Sequence, residues 1–287
     1  MKKNIKLFAV IGNPINHSKS PKIHNYFAKQ NNINQAYTKI LSSDNEFKKS
    51  LENFIEIGGL GLNVTVPFKQ TAFNIIKKEY LSKNALLAEA VNTIHIKNNL
   101  LYGYNTDGQG FINDLIRLNF NINNSKILLI GAGGAARGII ISLIEYGCSR
   151  LHIINRNIEN AMILMNIAKK ISINSSHNME ISYGALNSAN IESWPLVINT
   201  TSSSLQNQTL PLPENIFSSN SIAYDLYYSN QPTLFLKQAK DLGAKICVDG
   251  LGMLIEQAAE SFYIWHGIKP DTISTLSYIR SSLDHIY

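Results

Sequence analysis

A lysine stands where a predicted strand gives way to a predicted helix, in the segment Asn-Val-Thr-Val-Pro-Phe-Lys at residues 63–69. Pro67 after an apolar run is typical of the first turn of a helix. Lys69 then lies in that turn, where the positive end of the helix dipole disfavours its charge. Most lysines at such positions are solvated surface residues. The unfavourable position of this one favours a chemical role.

A carboxylate follows a second apolar run, in Tyr-Asn-Thr-Asp-Gly at residues 104–108. Addition of a hydride to a ketone produces an alkoxide, so such a reaction needs a positive charge or a proton donor at that oxygen. Lys69 with Asp107 can supply both. The two residues are therefore the candidate acid and base.

Two serines precede another predicted helix, in Asn-Pro-Ile-Asn-His-Ser-Lys-Ser-Pro at residues 13–21. Ser20 is expected to be the N-cap, with Pro21 at the first helical position. Capping alone would explain Ser20. Ser18 and Ser20 at a helix N-terminus also form a receptor for a carboxylate, because hydroxyl and backbone N–H donors converge there.

Residues 131–136 read Gly-Ala-Gly-Gly-Ala-Ala and follow the apolar run 126–130. Glycines at such a strand-to-helix junction let backbone N–H groups approach a pyrophosphate. The next predicted strand ends near Arg156, where an acidic residue would hold the ribose 2′-hydroxyl of NAD. An arginine there can instead pair with a 2′-phosphate. The sequence therefore predicts NADP as the cofactor.

In this order and spacing, the motif segments resemble the shikimate dehydrogenase family, whose members use NADP to interconvert 3-dehydroshikimate and shikimate. The resemblance extends from Asn13 to Gln257, nearly the whole chain. Its segments are NPINHSKSP (13–21), NVTVPFK (63–69), AVNT (90–93), YNTDG (104–108), GAGGAA (131–136) and DGLGMLIEQ (249–257).

The resemblance implies a role for each candidate residue. The catalytic pair would be Lys69 and Asp107. The substrate would be bound through its carboxylate by Ser18 and Ser20 and elsewhere by Thr65, Asn92, Asp107, Tyr228 and Gln257. The pyrophosphate would be held by Gly131, Ala132, Gly133, Gly134 and Ala135. The adenosine ribose would be read by Asn155 and Arg156. The nicotinamide end would lie near Leu226, Tyr228, Gly250 and Met253.

Three positions depart from the family pattern. The family often has Thr and a second Arg where this chain has Asn157 and Asn160, and Glu89 stands where a Gly commonly precedes the AVNT segment. Half of the phosphate clamp is therefore missing. A quinate/shikimate dehydrogenase that prefers NAD would share the substrate motifs. A catalytically silent NADP-binding regulator would share the fold, although Lys69 and Asp107 are intact.

The elements that must position these residues alternate between strands and helices. This alternation predicts an α/β fold with an N-terminal α/β substrate domain, a Rossmann-type dinucleotide-binding domain, and C-terminal helices that return to the first domain. The predicted domains are residues 1–105, 106–249 and 250–287. Residues 201–220, rich in Ser, Asn, Gln and Pro, read as loop.

Composition narrows the function classes. The 287 residues are 45% hydrophobic and 16% charged, as expected of a folded protein, and a net charge of +6 without long basic blocks argues against nucleic-acid binding. Cys148 and Cys247 alone do not indicate a disulfide framework, and no apolar run reaches a membrane-spanning length. The histidines form no metal-binding cluster in the sequence. We therefore expect a cytoplasmic monomer or homodimer with a small-molecule substrate and without a metal.

Overall fold

The computed structural model describes residues 5–173 and 179–284, which form two compact units. The first unit contains residues 5–110 and 255–284. The second unit contains residues 111–173 and 179–254. The chain passes from one unit to the other inside two helices, Asp107–Arg117 and Leu251–His266.

The first unit contains a five-stranded sheet in the order β2-β1-β3-β4-β5. Strands β1, β2 and β3 are parallel, whereas β4 pairs antiparallel with both β3 and β5. The strands are β1 (Lys6–Gly12), β2 (Gln35–Leu41), β3 (Gly59–Val64), β4 (Thr93–Lys97) and β5 (Leu100–Tyr104). The turn between β4 and β5 consists of Asn98 and Asn99, which both have positive φ, as the tight turn of a two-residue hairpin requires.

Helices cover both faces of this sheet. Phe47, Leu51 and Phe54 repeat at helical spacing on α2 and are buried in one core, where each side chain contributes about 1.5 to 3 kcal/mol. In a second core, Trp265 of α9 stacks on Phe8 with ring centroids 4.7 Å apart. The helices are α1 (Ser20–Gln30), α2 (Phe47–Glu56), α3 (Lys69–Ile75), α4 (Lys83–Ala88), α5 (Asp107–Arg117), α9 (Leu251–His266) and α10 (Thr272–Asp284).

The second unit contains a six-stranded parallel sheet in the order β11-β10-β9-β6-β7-β8. Counted within the unit, this is the doubly wound order 3-2-1-4-5-6 read from the other edge. Residues 127–130 of β6 are all fully buried, because helices cover both faces of a parallel sheet. The strands are β6 (Lys126–Ile130), β7 (Arg150–Ile154), β8 (Glu180–Gly184), β9 (Trp194–Asn199), β10 (Phe217–Asp225) and β11 (Ile246–Asp249). The helices are α6 (Gly134–Glu145), α7 (Ile158–Ser172) and α8 (Leu234–Asp241).

The predicted α/β class and Rossmann-type sheet are confirmed by these two sheets. Parallel strands place all their carboxyl ends at one edge. The loops after β6, β7, β9, β10 and β11 therefore meet at the same edge of the second sheet, which is where ligands bind in doubly wound folds. Within residues 5–173 and 179–284, no helix combines the length and apolar composition needed to cross a bilayer.

The backbone at position 89 explains why a glycine is common there in the family that this sequence resembles. It is the C-cap of α4 and adopts a left-handed backbone, with φ of 49° and ψ of 37°. Glycine takes this conformation without the clash that a Cβ causes. The glycine that the family commonly has at this position therefore fits the helix end.

We expect Glu89→Gly to increase the free energy of unfolding by about 0.5 to 1 kcal/mol, because relief of the left-handed strain exceeds the entropy that glycine adds to the unfolded chain. Urea denaturation at neutral pH measures the change. Glu89→Ala is the matched control, since it removes the carboxylate but keeps the Cβ. If Glu89→Ala stabilises the fold as much as Glu89→Gly does, the effect comes from the loss of the carboxylate charge and not from relief of backbone strain.

Three histidines of the first unit are held neutral by burial. Burial lowers the pKa of His24 to about 3, and the nearby His266 acts in the same direction. Burial also lowers the pKa of His95 and of His266 to about 4, with Lys97 and Lys6 respectively adding to the shift. His24 is fully buried and its ring stacks on Tyr37 at 4.4 Å.

These histidines make the fold sensitive to acid. The unfolded chain binds protons on them below about pH 6.5, whereas the folded chain does not until the pH reaches about 4 or below. The free energy of unfolding therefore falls as the pH falls from about 6.5 to 4. We expect His24→Leu to reduce this slope by up to about 1.4 kcal/mol per pH unit. Denaturation curves at pH 7, 6, 5 and 4.5 test this. An unchanged slope would show that His24 already binds its proton in the folded protein.

Candidate active site

The candidate acid and base are in direct contact. Lys69 is the first residue of α3, so it lies in the first helical turn as predicted, although Pro67, which was predicted to start this helix, lies two residues before it. Asp107 is the first residue of α5. Lys69 Nζ lies 2.5 Å from Asp107 Oδ2. The side chains are 31% and 15% exposed, so the ion pair is partly enclosed yet reachable by a small molecule. Such a pair can exchange a proton with a bound ligand and stabilise charge that develops on it.

Amide side chains surround the carboxylate on its other side. Asn92, which directly precedes β4, donates from Nδ2 to Asp107 Oδ1 at 2.8 Å. The same Nδ2 lies 3.3 Å from Oε1 of Gln257 in α9. The backbone N–H of Thr106 donates to Asn92 Oδ1 at 2.9 Å, which fixes the orientation of the amide. The structure thus gathers Asn92, Gln257, Asp107 and Lys69 into one cluster.

Thr65 lies beside the end of β1, from which the chain continues into the serine segment. Thr65 donates its backbone N–H to Ile11 at 3.0 Å, and a Cβ added at Gly12 would come within 2.4 Å of the Thr65 methyl group. Ser18 Oγ accepts the backbone N–H of Ser20 at 3.3 Å.

The expectation that Ser20 is the N-cap is wrong by one residue. Lys19 is the N-cap, so Ser20 is the first residue of α1 and Pro21 the second. The fixed φ of proline suits either of the first helical positions, so Pro21 alone does not fix the start. Ser20 is buried, whereas Ser18 is partly exposed.

In the second unit, the glycine-rich segment forms an open turn. Gly131 follows β6 with φ of +110°, and a Cβ added there would lie 2.3 Å from Thr200 Oγ1. Gly133 and Gly134 differ, because a Cβ at either position would meet nothing within 4 Å. The space beside them opens at the start of α6, a twelve-residue helix whose N-terminus favours an anion. This cradle fits a pyrophosphate.

A cavity of about 490 Å³ adjoins this turn and contains both predicted ribose-reading residues, Asn155 and Arg156. Asn157 and Asn160 also line it. Asn157 is the N-cap of α7, and its Oδ1 accepts the backbone N–H groups of Glu159 at 2.9 Å and Asn160 at 3.4 Å. Its side-chain oxygen is therefore committed to the helix, and Arg156 is exposed beside it.

The residues predicted near the nicotinamide follow β10 and β11. Leu226 comes directly after β10 and Gly250 directly after β11. A Cβ at Gly250 would lie 2.1 Å from the Leu226 carbonyl oxygen, so only glycine fits there. Met253 and Tyr228 are half-buried, and burial raises the pKa of Tyr228.

Comparison with known proteins identifies the family of this chain. Residues 10–94 match the family model described as shikimate dehydrogenase substrate binding domain, residues 114–206 match shikimate/quinate 5-dehydrogenase, and residues 250–272 match the shikimate 5′-dehydrogenase C-terminal domain. A relative from Bordetella avium, named shikimate dehydrogenase (NADP(+)), is 45% identical over 97% of this chain and 96% of its own length. The chain belongs to the shikimate dehydrogenase family.

Solved structures of the family have the same fold. Shikimate 5-dehydrogenase from Thermus thermophilus, in complex with NADP(H) and shikimate, is 28% identical with a TM-score of 0.85, over 97% of this chain and all of the other. The enzyme from Listeria monocytogenes, in complex with shikimate and NAD, is 25% identical with a TM-score of 0.85, over 97% and 99% of the two chains.

The loop after β9 forms one wall of the cavity, which the sequence analysis of this shikimate dehydrogenase family member did not predict. Residues 201–220 were predicted as loop, whereas β10 already begins at Phe217, and the part that lines the cavity follows β9, the neighbour of β6. Asp225 holds this loop through Ser204, whose hydroxyl donates to the carboxylate. The same carboxylate accepts hydrogen bonds from Thr233 at 2.7 Å and from Asn199 at 3.2 Å. Burial raises the pKa of Asp225, and these bonds oppose the shift. The wall residues are Thr200, Thr201, Ser202, Ser203, Gln206, Gln208, Thr209, Leu210 and Pro211.

A metal centre finds no support among the described residues. Across the described ranges, no group of three or more His, Cys, Asp or Glu side chains is arranged to hold an ion.

Proposed function

We propose that this protein catalyses the reversible NADPH-dependent reduction of 3-dehydroshikimate to shikimate in aromatic amino acid and chorismate biosynthesis. The observation that carries the proposal is the 2.5 Å contact between Lys69 Nζ and Asp107 Oδ2, inside a chain of the shikimate dehydrogenase family. This pair is what the reduction of a ketone requires from the protein. The enzyme is an oxidoreductase acting on a CH–OH group.

The catalytic steps assigned to this chain are proton transfers. NADPH, when bound, supplies the hydride that reduces the carbonyl carbon. Lys69 Nζ donates a proton to the carbonyl oxygen, which becomes the new hydroxyl, and regains a proton from solvent. Asp107 holds the ammonium group in place through Oδ2. In the reverse direction Lys69 accepts the hydroxyl proton.

Substrate recognition is assigned to residues of the first unit and to Tyr228. Ser18 and Ser20, at the start of the eleven-residue helix α1, bind the carboxylate through hydroxyl and backbone donors. Thr65, Asn92 and Gln257 hydrogen-bond the ring hydroxyls. The proposed domains are residues 1–105 for substrate binding and catalysis and residues 106–249 for NADP, followed by C-terminal helices at residues 250–287 that return to the substrate domain.

Cofactor binding is assigned to the loops at the carboxyl edge of the second sheet. Residues 131–135 would hold the pyrophosphate in the space that Gly133 and Gly134 leave open. Asn155 and Arg156 would hold the ribose and its 2′-phosphate. Leu226, Gly250 and Met253 would contact the nicotinamide end. We also propose a cytoplasmic monomer or homodimer without nucleic-acid partners.

Initial rates with shikimate and with quinate, each combined with NADP and with NAD, test this function. We expect the highest kcat/KM for shikimate with NADP. Higher kcat/KM with NAD, together with quinate turnover, would support a quinate/shikimate dehydrogenase instead. Tight NADP binding without turnover of either substrate would support a catalytically silent regulator.

A further inference from the structure

A line of buried polar side chains in the first unit leads toward Asp107. Tyr37 in β2 donates to Asn63 Oδ1 at 2.7 Å, and Asn63 Nδ2 donates to Ser261 Oγ at 2.9 Å. Ser261, in α9, lies 2.8 Å from Thr93 Oγ1. These four residues are at most 6% exposed. The line therefore connects β2, β3, α9 and β4 away from bulk water.

The line continues from Thr93 to the carboxylate. Thr93 Oγ1 donates to Asn92 Oδ1 at 2.9 Å, and Asn92 Nδ2 donates to Asp107 Oδ1 at 2.8 Å. Lys69 Nζ donates a hydrogen bond to the second carboxylate oxygen, Oδ2. Both oxygens of Asp107 thus have a donor, and the donor on Oδ1 is the end of the buried line.

Hydrogen-bond chemistry gives the line a direction. The backbone N–H of Thr106 can only donate, so the atom of Asn92 that faces it is Oδ1 and the atom that faces Asp107 is Nδ2. Thr93 has one hydroxyl proton, which goes to Asn92. Ser261 accepts from Asn63 and shares its one hydroxyl proton between Thr93 Oγ1 and the Gln257 carbonyl, which lies 3.0 Å away. Asn63 Nδ2 also donates directly to Thr93 Oγ1 at 3.1 Å. The links from Tyr37 to Asn63, from Asn63 to Thr93, from Thr93 to Asn92 and from Asn92 to Asp107 each donate toward the carboxylate.

We propose that Thr93 and Ser261 are positioning residues for the reaction: they polarise and hold the Asn92 amide, which supports the Asp107 carboxylate and keeps it in contact with Lys69. Successive hydrogen bonds that point the same way strengthen one another, and a low dielectric enlarges the effect. Neither residue contacts the substrate in this proposal. The inference rests on the proposed function, because its test measures shikimate oxidation.

The test interrupts the line at three distances from Asp107. We expect Thr93→Val to lower kcat about 10-fold, Ser261→Ala about 3- to 5-fold and Tyr37→Phe less than about 2-fold, since each successive link acts through more bonds. KM for shikimate should change less than about 3-fold. In Thr93→Val and Ser261→Ala, the acid limb of the pH profile of kcat/KM should move to higher pH, because an ionised carboxylate loses support.

Two further variants separate positioning from packing. Thr93→Ser keeps the hydroxyl and should retain the wild-type pH profile. Thr275→Val is the matched control, because Thr275 is also fully buried in the first unit and its hydroxyl bonds to Asp271 and Gln30, outside the line. It should destabilise the fold and leave the pH profile in place.

The outcomes are distinguishable. An inactive wild type would overturn the proposed function itself. An active wild type, with Thr93→Val and Ser261→Ala matching Thr275→Val in kcat and in pH profile, would overturn the positioning role. If Thr93→Val does not fold, Ser261→Ala tests the positioning role alone, because alanine is no larger than the fully buried serine that it replaces. A Ser261→Ala profile identical to wild type would then reject the inference.

Discussion

Replacing Lys69 by alanine should lower kcat by roughly 100- to 10,000-fold, the usual scale for the loss of a positioned acid or base. The variant lacks the proton donor that the carbonyl oxygen needs, while the groups assigned to substrate binding stay in place. KM for shikimate should change little. Steady-state kinetics with NADP, together with equilibrium binding of shikimate, separate the two effects.

Lys48→Ala is the matched control for Lys69→Ala. Lys48 is an exposed lysine of the same unit, and its Nζ lies 3.9 Å from Glu52, so its loss should not alter kcat. Asp107→Asn should also be severely impaired. If Lys69 and Asp107 act as one unit, the double variant should be little worse than either single variant. Near-normal turnover of folded Lys69→Ala would remove this residue from the mechanism.

The second large effect concerns cofactor choice. A charge-assisted hydrogen bond contributes about 1.5 to 3 kcal/mol, so we expect wild type to favour NADP over NAD by roughly 10- to 150-fold and Arg156→Ala to abolish most of that preference. The loss should appear in kcat/KM for NADP and leave NAD almost unchanged. Salt should reduce the wild-type preference, because Arg156 is exposed.

Neighbouring positions sharpen this test. Asn160→Arg places a second guanidinium on the same cavity and should strengthen the preference, whereas Asn157 is committed to capping α7. Lys170→Ala is the matched control, since it removes an exposed cation from the last turn of the same helix. If the ratio of kcat/KM for NADP to kcat/KM for NAD is unchanged in Arg156→Ala, other residues bind the 2′-phosphate. The loop at residues 200–211 would then be the next candidate.

Features that depend on local sequence were predictable. The position of Lys69 in a first helical turn, the glycine turn after β6 and the parallel second sheet all follow from short-range patterns of apolar residues, proline and glycine. The helix start itself was predicted two residues too early, at Pro67. The hairpin of β4 and β5 carried such a signal in Asn98 and Asn99, and it was missed.

Features that depend on distant contacts were not predictable. The cavity wall at residues 200–211 lies beside the glycine turn because β9 pairs with β6, and Thr200 donates to Ile130, 70 positions earlier. The Asn63–Ser261 bond spans 198 positions. No single-sequence pattern encodes such pairings, since they arise only when the strands and helices assemble.

The shared edge of the second sheet has an evolutionary consequence. The strands are held by backbone hydrogen bonds and buried apolar side chains, whereas the groups assigned to the dinucleotide lie in the loops that follow them. Substitutions in these loops can therefore change which nucleotide is preferred at little cost in stability. An exposed position such as 160 can therefore change during evolution, and the coenzyme preference can be regained or exchanged by a few point mutations while the sheet stays the same.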